Sequence, residues 1–237
     1  MPEIESLKSG SSAQRDSLNH QAVEDYLKTI YMLAEIESPV STSRIAEARD
    51  VKPASVTSML RRLAKLNMVH YEKHYGVALT PAGEKVALEV IRHHRLLELY
   101  LMEALGFAWD EVHEQADILE HVISEQLEER IAAFLGHPTL DPHGDPIPDK
   151  DGAMVTMDTV VLADMEVGAR AQVARIIDDA NSDMLRYLAE LGLTPGVQFE
   201  VVEIAPFAGP FSLQIGADVK VVGRMIAQTI LVVLAQE

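Results

Sequence analysis

The sequence contains no cysteine. That removes disulfides, thiolate zinc sites and cysteine nucleophiles, and it fits a reducing cytoplasm. It has no apolar run approaching the roughly 20 residues that span a bilayer, so no membrane partner is expected. Met1–Asn19 is polar and lacks the apolar middle of a secretory signal. The usual enzyme and nucleotide signatures are missing as well: no HExxH, EF-hand loop, GxSxG elbow, phosphate loop or dinucleotide fingerprint. Basic residues are in the minority, 20 Lys and Arg against 37 Asp and Glu, and the net charge of −17 argues at first against nucleic acid.

The distribution of that charge reverses the argument. Residues 15–95 hold 12 basic and 10 acidic side chains, whereas residues 96–237 hold 7 and 25. Within the first part, Arg49, Lys52, Arg61, Arg62, Lys65 and Lys73 face only Asp50 and Glu72 across residues 49–73. A locally basic module on an acidic body is compatible with a DNA reader.

The local pattern in that module is specific. Residues 1–17 read as a flexible tail, and Leu18 to about Glu37 as a helix capped by Asn19, with Val23, Leu27, Ile30 and Ala34 as its apolar stripe. Ser41 or Thr42 caps a short helix through Arg49. Asp50-Val51-Lys52 forms a turn, and Pro53 opens a helix to about Leu66, which Asn67 ends in a left-handed conformation. Met68–Lys73 and Val77–Thr80 then form a hairpin around His74-Tyr75-Gly76. Two short helices, a tight turn and a hairpin describe a winged helix-turn-helix. On the second helix Val56, Leu60 and Leu63 make the buried stripe. Ser55, Ser58 and Arg62 lie opposite, flanked by Thr57, Arg61 and Lys65. Hydroxyls and arginines on an exposed face suit base edges and phosphates. Arg44, Lys52 and Lys73 complete the candidate DNA-binding set, with His74 and Tyr75 at the wing tip.

Two long helices are expected next, from Thr80-Pro81 towards Gly106 and from near Asp110 to Gly136. The first is apolar nearly all round at Leu96, Leu97, Leu99, Tyr100, Leu101, Ala104 and Leu105, more than one monomer layer needs, which points to a homodimer. It also carries His94 and Glu98, four residues apart. The second carries His113, Asp117, Glu120 and His121, which at about 100° per residue share an arc of roughly 100°. They flank the apolar stripe Val112, Ala116, Leu119, Ile123 and Leu127. Imidazoles with carboxylates are the donors a borderline-to-hard divalent cation takes, and six of them suffice for one or two ions. His93 reads as ordinary, and Glu125, Glu128 and Glu129 as a solvated face. A metal-dependent hydrolase is the alternative from another class, but no nucleophile accompanies the ligands.

Gly136–Gly152, GHPTLDPHGDPIPDKDG, has the composition of a linker. Beyond it Ala169–Ile177, Val197–Ala205, Phe211–Ile215, Val219–Val222 and Ile230–Leu234 read as strands of a small five-stranded barrel, interrupted by a helix around Ser182–Leu191. The fold class is therefore mainly α with a C-terminal β-barrel. The expected division is a winged helix over 18–91, a helical domain over 92–136, a linker over 137–157 and the barrel over 158–237.

In order, EDYLKTIYML (Glu24–Leu33), RIAEARDVKPASVTSMLRRLAKLNMV (Arg44–Val69), LTPAGEKVA (Leu79–Ala87), HHRLLELYL (His93–Leu101), VHEQADILEHVISEQLEERI (Val112–Ile131) and HPTLDPHGDPIP (His137–Pro148) resemble the diphtheria toxin repressor family of metal-dependent regulators. YLAELGLTPG (Tyr187–Gly196) and APFAGPFSLQIG (Ala205–Gly216) resemble the small barrel of ferrous-iron transport protein A. The resemblance implies a principal metal site at Asp25, Asp117, Glu120 and His121 and an ancillary one at His94, Glu98 and His113. Asp25 is a ligand by resemblance alone, since on a helical wheel it lies opposite the apolar stripe. Iron-type members carry Met and Cys in place of Asp25 and Asp117. The two-domain manganese regulators carry carboxylates there, a further Glu in place of Lys28, and no barrel. Asn181, Asp183 and Met184 occupy the neighbourhood from which a barrel completes the ancillary site, and only Asp183 is an attractive ligand. The expectation is a dimeric Mn2+-responsive repressor of metal-homeostasis genes with two ions per subunit, bound to a palindromic operator. An iron(II)-dependent repressor is the alternative.

Overall fold

A computed structural model describes residues 20–177 and 180–235. The expected tail, Leu18 and the Asn19 cap lie outside them. The chain divides into two compact units at Ile91/Arg92, and no helix among the described residues is long and apolar enough to cross a membrane.

In the first unit, helix α1 covers residues 20–34. Helix α2, Thr42–Ala48, begins where the Ser41 hydroxyl accepts from the Arg44 N–H. Asp50 takes a positive φ of 48° to make the turn. Helix α3, Pro53–Lys65, starts on proline, whose fixed φ suits a first helical position. Asn67, at φ 58°, ends it in the left-handed region. Strands β1 (Val69–Glu72) and β2 (Gly76–Leu79) pair antiparallel, His70 opposite Ala78. Val40 bridges to Val77 and ties the segment before α2 to the wing. Leu27, Ile30, Ile45, Val56, Leu60, Leu63 and Val77 are fully buried in one core. Every helix of the module contributes to it, which fixes α3 with its polar face outward.

Helix α4, Pro81–Leu105, runs from the first unit into the second. The expected second long helix is two: α5, Val112–Leu119, and α6, Glu125–Phe134. The break has a local cause. The Ser124 hydroxyl accepts from the Leu127 N–H and starts a new helix there. Glu120 closes α5, and His121 lies in the turn beyond. Leu96, Leu97, Ala116, Ile131, Ala132 and Ile147 pack as the helical core. So Leu96, Leu97 and Leu101, expected as a dimer face, are spent inside the monomer. Of that expected face Ala104 and Leu105 remain exposed, and beyond it Phe107, Ile118, Leu119, Val122, Leu127 and Phe134 are exposed as well.

The rest of this unit is one six-stranded antiparallel sheet in the order β3-β8-β4-β5-β6-β7. Its strands are β3 (Val160–Val161), β4 (Arg170–Ile176), β5 (Gln198–Ile204), β6 (Phe211–Ile215), β7 (Asp218–Val222) and β8 (Ile230–Leu234). The two-residue β3 is the strand the alternation pattern did not reveal. Helix α7, Ser182–Leu191, is capped by Asn181 and closed by Gly192 at φ 75°. It buries Met184, Leu185 and Leu188 in the sheet core with Val173, Phe199, Phe211 and Val232. Helix α8, Arg224–Ala227, is a single turn before β8.

Gly136–Gly152 is not an extended linker. Asp141, His143 and Asp145 are buried. The Asp141 side chain folds the loop by accepting from the His143 and Asp145 N–H groups, both through Oδ1. Gly144, at φ 88°, lies against β4 so closely that a Cβ would stand 1.9 Å from the Ala174 carbonyl oxygen. The Ile176 N–H donates to the His143 carbonyl beside it.

Candidate metal centre

Helix α4 brings His94 and Glu98 to one face, one turn apart, and both are buried. His94 uses its two nitrogens in opposite directions. Nδ1 lies 2.5 Å from Glu120 Oε2 and 3.3 Å from Asp117 Oδ1. Nε2 lies 3.0 Å from Glu98 Oε1 and 3.2 Å from His113 Nδ1. His113 Nδ1 is also 3.1 Å from Glu98 Oε1, and its Nε2 is 3.7 Å from Asp117 Oδ2. His121 Nε2 reaches Glu120 Oε1 at 3.3 Å. The structure thus gathers His94, Glu98, His113, Asp117, Glu120 and His121 into one continuous cluster. Asp117, with its side chain 52% exposed, faces solvent. Asp25 belongs to the first unit, where Arg49 Nη2 lies 2.9 Å from its Oδ2.

A further group was not foreseen. Glu98 turns Oε2 towards His143 Nδ1, 3.7 Å away, and Asp141 lies beside them. Glu98 Oε2, Asp141 Oδ2 and His143 Nδ1 are all buried without a hydrogen-bond partner. One oriented atom from each of these residues lies within 4.8 Å of the others. The His143 Nε2 donates to the Trp109 carbonyl at 2.8 Å, which aims Nδ1 at Glu98. Burial would lower the His143 pKa, but the Glu98 and Asp141 carboxylates lift it to about 9. Burial would raise Glu98, but His94, His113 and His143 hold it well below the carboxylate range. Burial, with Glu98 and Asp145 nearby, pushes Asp141 well above it. Buried polar atoms are nearly always satisfied, and two carboxylate oxygens with an imidazole nitrogen are what a divalent cation would satisfy. The donors fit the metal that the resemblance implies. The signal was an Asp-x-His pair next to a glycine in a stretch whose composition suggested solvent.

The remaining candidates behave differently. Asn181 caps α7, Asp183 pairs with Arg186, and Met184 is in the sheet core. On the winged helix, Arg44, Lys52, Ser55, Ser58, Arg61, Arg62, Lys65 and Lys73 are all exposed. Thr57 is half-buried and its hydroxyl donates to the Pro53 carbonyl, so it is a poorer base reader than its neighbours. His74, at φ 75°, and Tyr75 make the exposed tip of the wing.

Three family models cover nearly the whole described chain. Residues 20–77 match the iron dependent repressor N-terminal DNA binding domain. Residues 80–149 match the iron dependent repressor metal binding and dimerisation domain, and residues 160–234 the FeoA domain. The iron-dependent repressor IdeR of Mycobacterium leprae (strain TN) is 31% identical over 196 residues, covering 77% of this chain and 84% of that one. Among solved structures, a manganese-dependent transcriptional repressor in complex with manganese is 40% identical, with a TM-score of 0.82 over 90% of this chain and 100% of that one. The manganese regulator SloR is 31% identical, with a TM-score of 0.71 over 90% of this chain and 98% of that one. Transcriptional repressors are not enzymes, and the hydrolase alternative falls. The chain belongs to the iron-dependent repressor family of metal-dependent, DNA-binding transcriptional repressors.

Proposed function

We propose that this repressor responds to Mn2+. The observation that carries the reading is the donor set: His94, Glu98, His113, Asp117, Glu120 and His121 offer only carboxylate oxygens and imidazole nitrogens. Hard oxygen donors suit Mn2+ better than sulfur does, although the Irving–Williams order still makes it the weakest binder among the competing ions. Asp117, Glu120 and His121, with Asp25 as the resemblance implies, are the ligands of the principal ion. Glu98 holds a second ion with His94 and His113, and its other oxygen extends that site towards Asp141 and His143. The bound cation neutralises this acidic cluster and favours the DNA-competent arrangement of a homodimer on a palindromic operator. Switching from 1:99 to 99:1 requires about 10⁴-fold tighter metal binding by that arrangement. Ser55 and Ser58 read bases, while Arg44, Lys52, Arg61, Arg62, Lys65 and Lys73 hold phosphates. Such a repressor works in the cytoplasm.

An iron(II)-responsive repressor is the second reading, favoured by the FeoA match over residues 160–234 and by the likeness to IdeR. Titrating binding to a metal-transporter promoter with Mn2+ and with anaerobic Fe2+ separates the two. The parent should respond to Mn2+, and Asp25→Met/Asp117→Cys should shift preference towards Fe2+. A parent that ignores Mn2+ but answers to Fe2+ is an iron regulator.

A further inference from the structure

Arg49 is tied to the turn between α2 and α3 by its backbone and to α1 by its side chain. It is the C-cap of α2, its N–H donating to the Ile45 carbonyl at 3.1 Å. Its guanidinium touches three residues of α1. Nη2 donates to Asp25 Oδ2 at 2.9 Å, Nη1 donates to Thr29 Oγ1 at 3.3 Å, and the cation stands 4.9 Å from the Tyr26 ring centre. The Thr29 hydroxyl in turn donates to the Asp25 carbonyl at 2.8 Å. A planar guanidinium shared between a carboxylate, a hydroxyl and an aromatic face has little freedom left. Only Asp50, Val51 and Lys52 separate Arg49 from the first residue of α3. The Val51 N–H returns to the Ala46 carbonyl, so this short turn is itself held.

We propose that Arg49 is a positioning residue that couples Asp25 to the recognition helix. By holding Oδ2 it links the carboxylate to the C-cap of α2, so that it transmits the position of Asp25 without itself setting the affinity for the cation. Any shift of Asp25 on cation binding is passed through the guanidinium to the end of α2 and the start of α3. The proposal rests on the reading of Asp25 as a ligand of the principal ion. It accounts for an arginine in the helix-turn-helix whose charge is directed to a carboxylate of α1.

The test uses the full chain and Mn2+ in two measurements: direct Mn2+ binding by calorimetry, and the gain in operator affinity that Mn2+ produces. Arg49→Met and Arg49→Gln should each bind Mn2+ within about threefold of the parent while losing about tenfold of that gain. If one variant fails to fold by circular dichroism, the other decides. Metal-independent binding to random DNA at low salt should stay at the parent level. A parent-like gain in a folded variant overturns the proposal. So does an equal loss with and without Mn2+ accompanied by a smaller salt slope, which makes Arg49 a phosphate contact. Asp25→Ala is the companion arm. If it binds Mn2+ like the parent, the ligand reading itself fails and the proposal with it. If it loses Mn2+ while both Arg49 variants respond normally, only the coupling fails.

Discussion

His93 Nδ1 lies 3.1 Å from the backbone carbonyl oxygen of Glu120, to which it donates. Its Nε2 faces Glu128 Oε2 at 3.4 Å, and Glu128 accepts from Arg92 Nε at 2.5 Å through its other oxygen. Arg92 continues to the Pro148 carbonyl. This buried chain fixes the break between α5 and α6, where Glu120 and His121 sit. Partners behind a metal ligand typically contribute 10–100-fold to affinity. His93→Leu should therefore weaken Mn2+ binding by about tenfold, and His93→Asn, which keeps a donor near Nδ1, should recover part of that. Calorimetric titration of both variants checks it, and a His93→Leu protein with parent affinity counts against the role.

Little in the sequence marked His93 or Glu128. Both sit on helices whose neighbours are polar, and a wheel drawn for one unbroken helix leaves Glu128 in solvent. The Ser124 cap resets the phase, and with it Glu128 turns inward. The winged helix was legible because its punctuation is local: Ser41 capping α2, a turn at Asp50, Pro53 opening α3, Asn67 closing it. The grouping of His94 with Glu98, and of His113, Asp117, Glu120 and His121, reads from helical spacing, and the structure brings these side chains together. Asp141 and His143 were not legible, because composition cannot distinguish a solvated linker from a loop that folds its carboxylates inward. In the sequence Arg49 reads as part of a basic patch, and only the fold shows that it faces Asp25.

Arg62 is exposed near the end of α3. Arg62→Ala should weaken binding on all sequences alike and reduce the slope of log affinity against log salt by about one. Titrations on operator and random DNA at several salt concentrations measure this. An unchanged slope would remove Arg62 from the phosphate contacts.

Glu98 presents one oxygen to His94 and His113 and the other towards His143. Glu98→Gln should lower the Mn2+ stoichiometry from about two ions per subunit to about one. His113→Ala and His143→Ala should each weaken the second ion by about tenfold or more without touching the first. Equilibrium dialysis with Mn2+ reads both numbers. If Glu98→Gln still binds the parent's complement, the second site does not involve this carboxylate.

Val122 is 72% exposed and Ile118 65% exposed, four residues apart around the end of α5. Exposed apolar side chains grouped this way mark an interface. Val122→Glu and Ile118→Glu should shift the chain from dimer to monomer at micromolar concentration and abolish operator binding at any Mn2+ level. Sedimentation velocity decides it, and a dimer surviving both charges places the twofold contact elsewhere.

The hydrogen bond from the Ile176 N–H to the His143 carbonyl gives the sheet a built-in reporter. Because Gly144 lets the loop lie directly on β4, that amide is shielded from water only while the loop is seated. Its deuterium uptake therefore measures how often the loop lifts away. A cation shared by Asp141, His143 and Glu98 would clamp the loop from its other side, so uptake at Ile176 should slow with added Mn2+ and stay fast in His143→Ala. Occupancy of a site on the helical side would thus be readable from a single backbone position in β4, with no DNA in the tube.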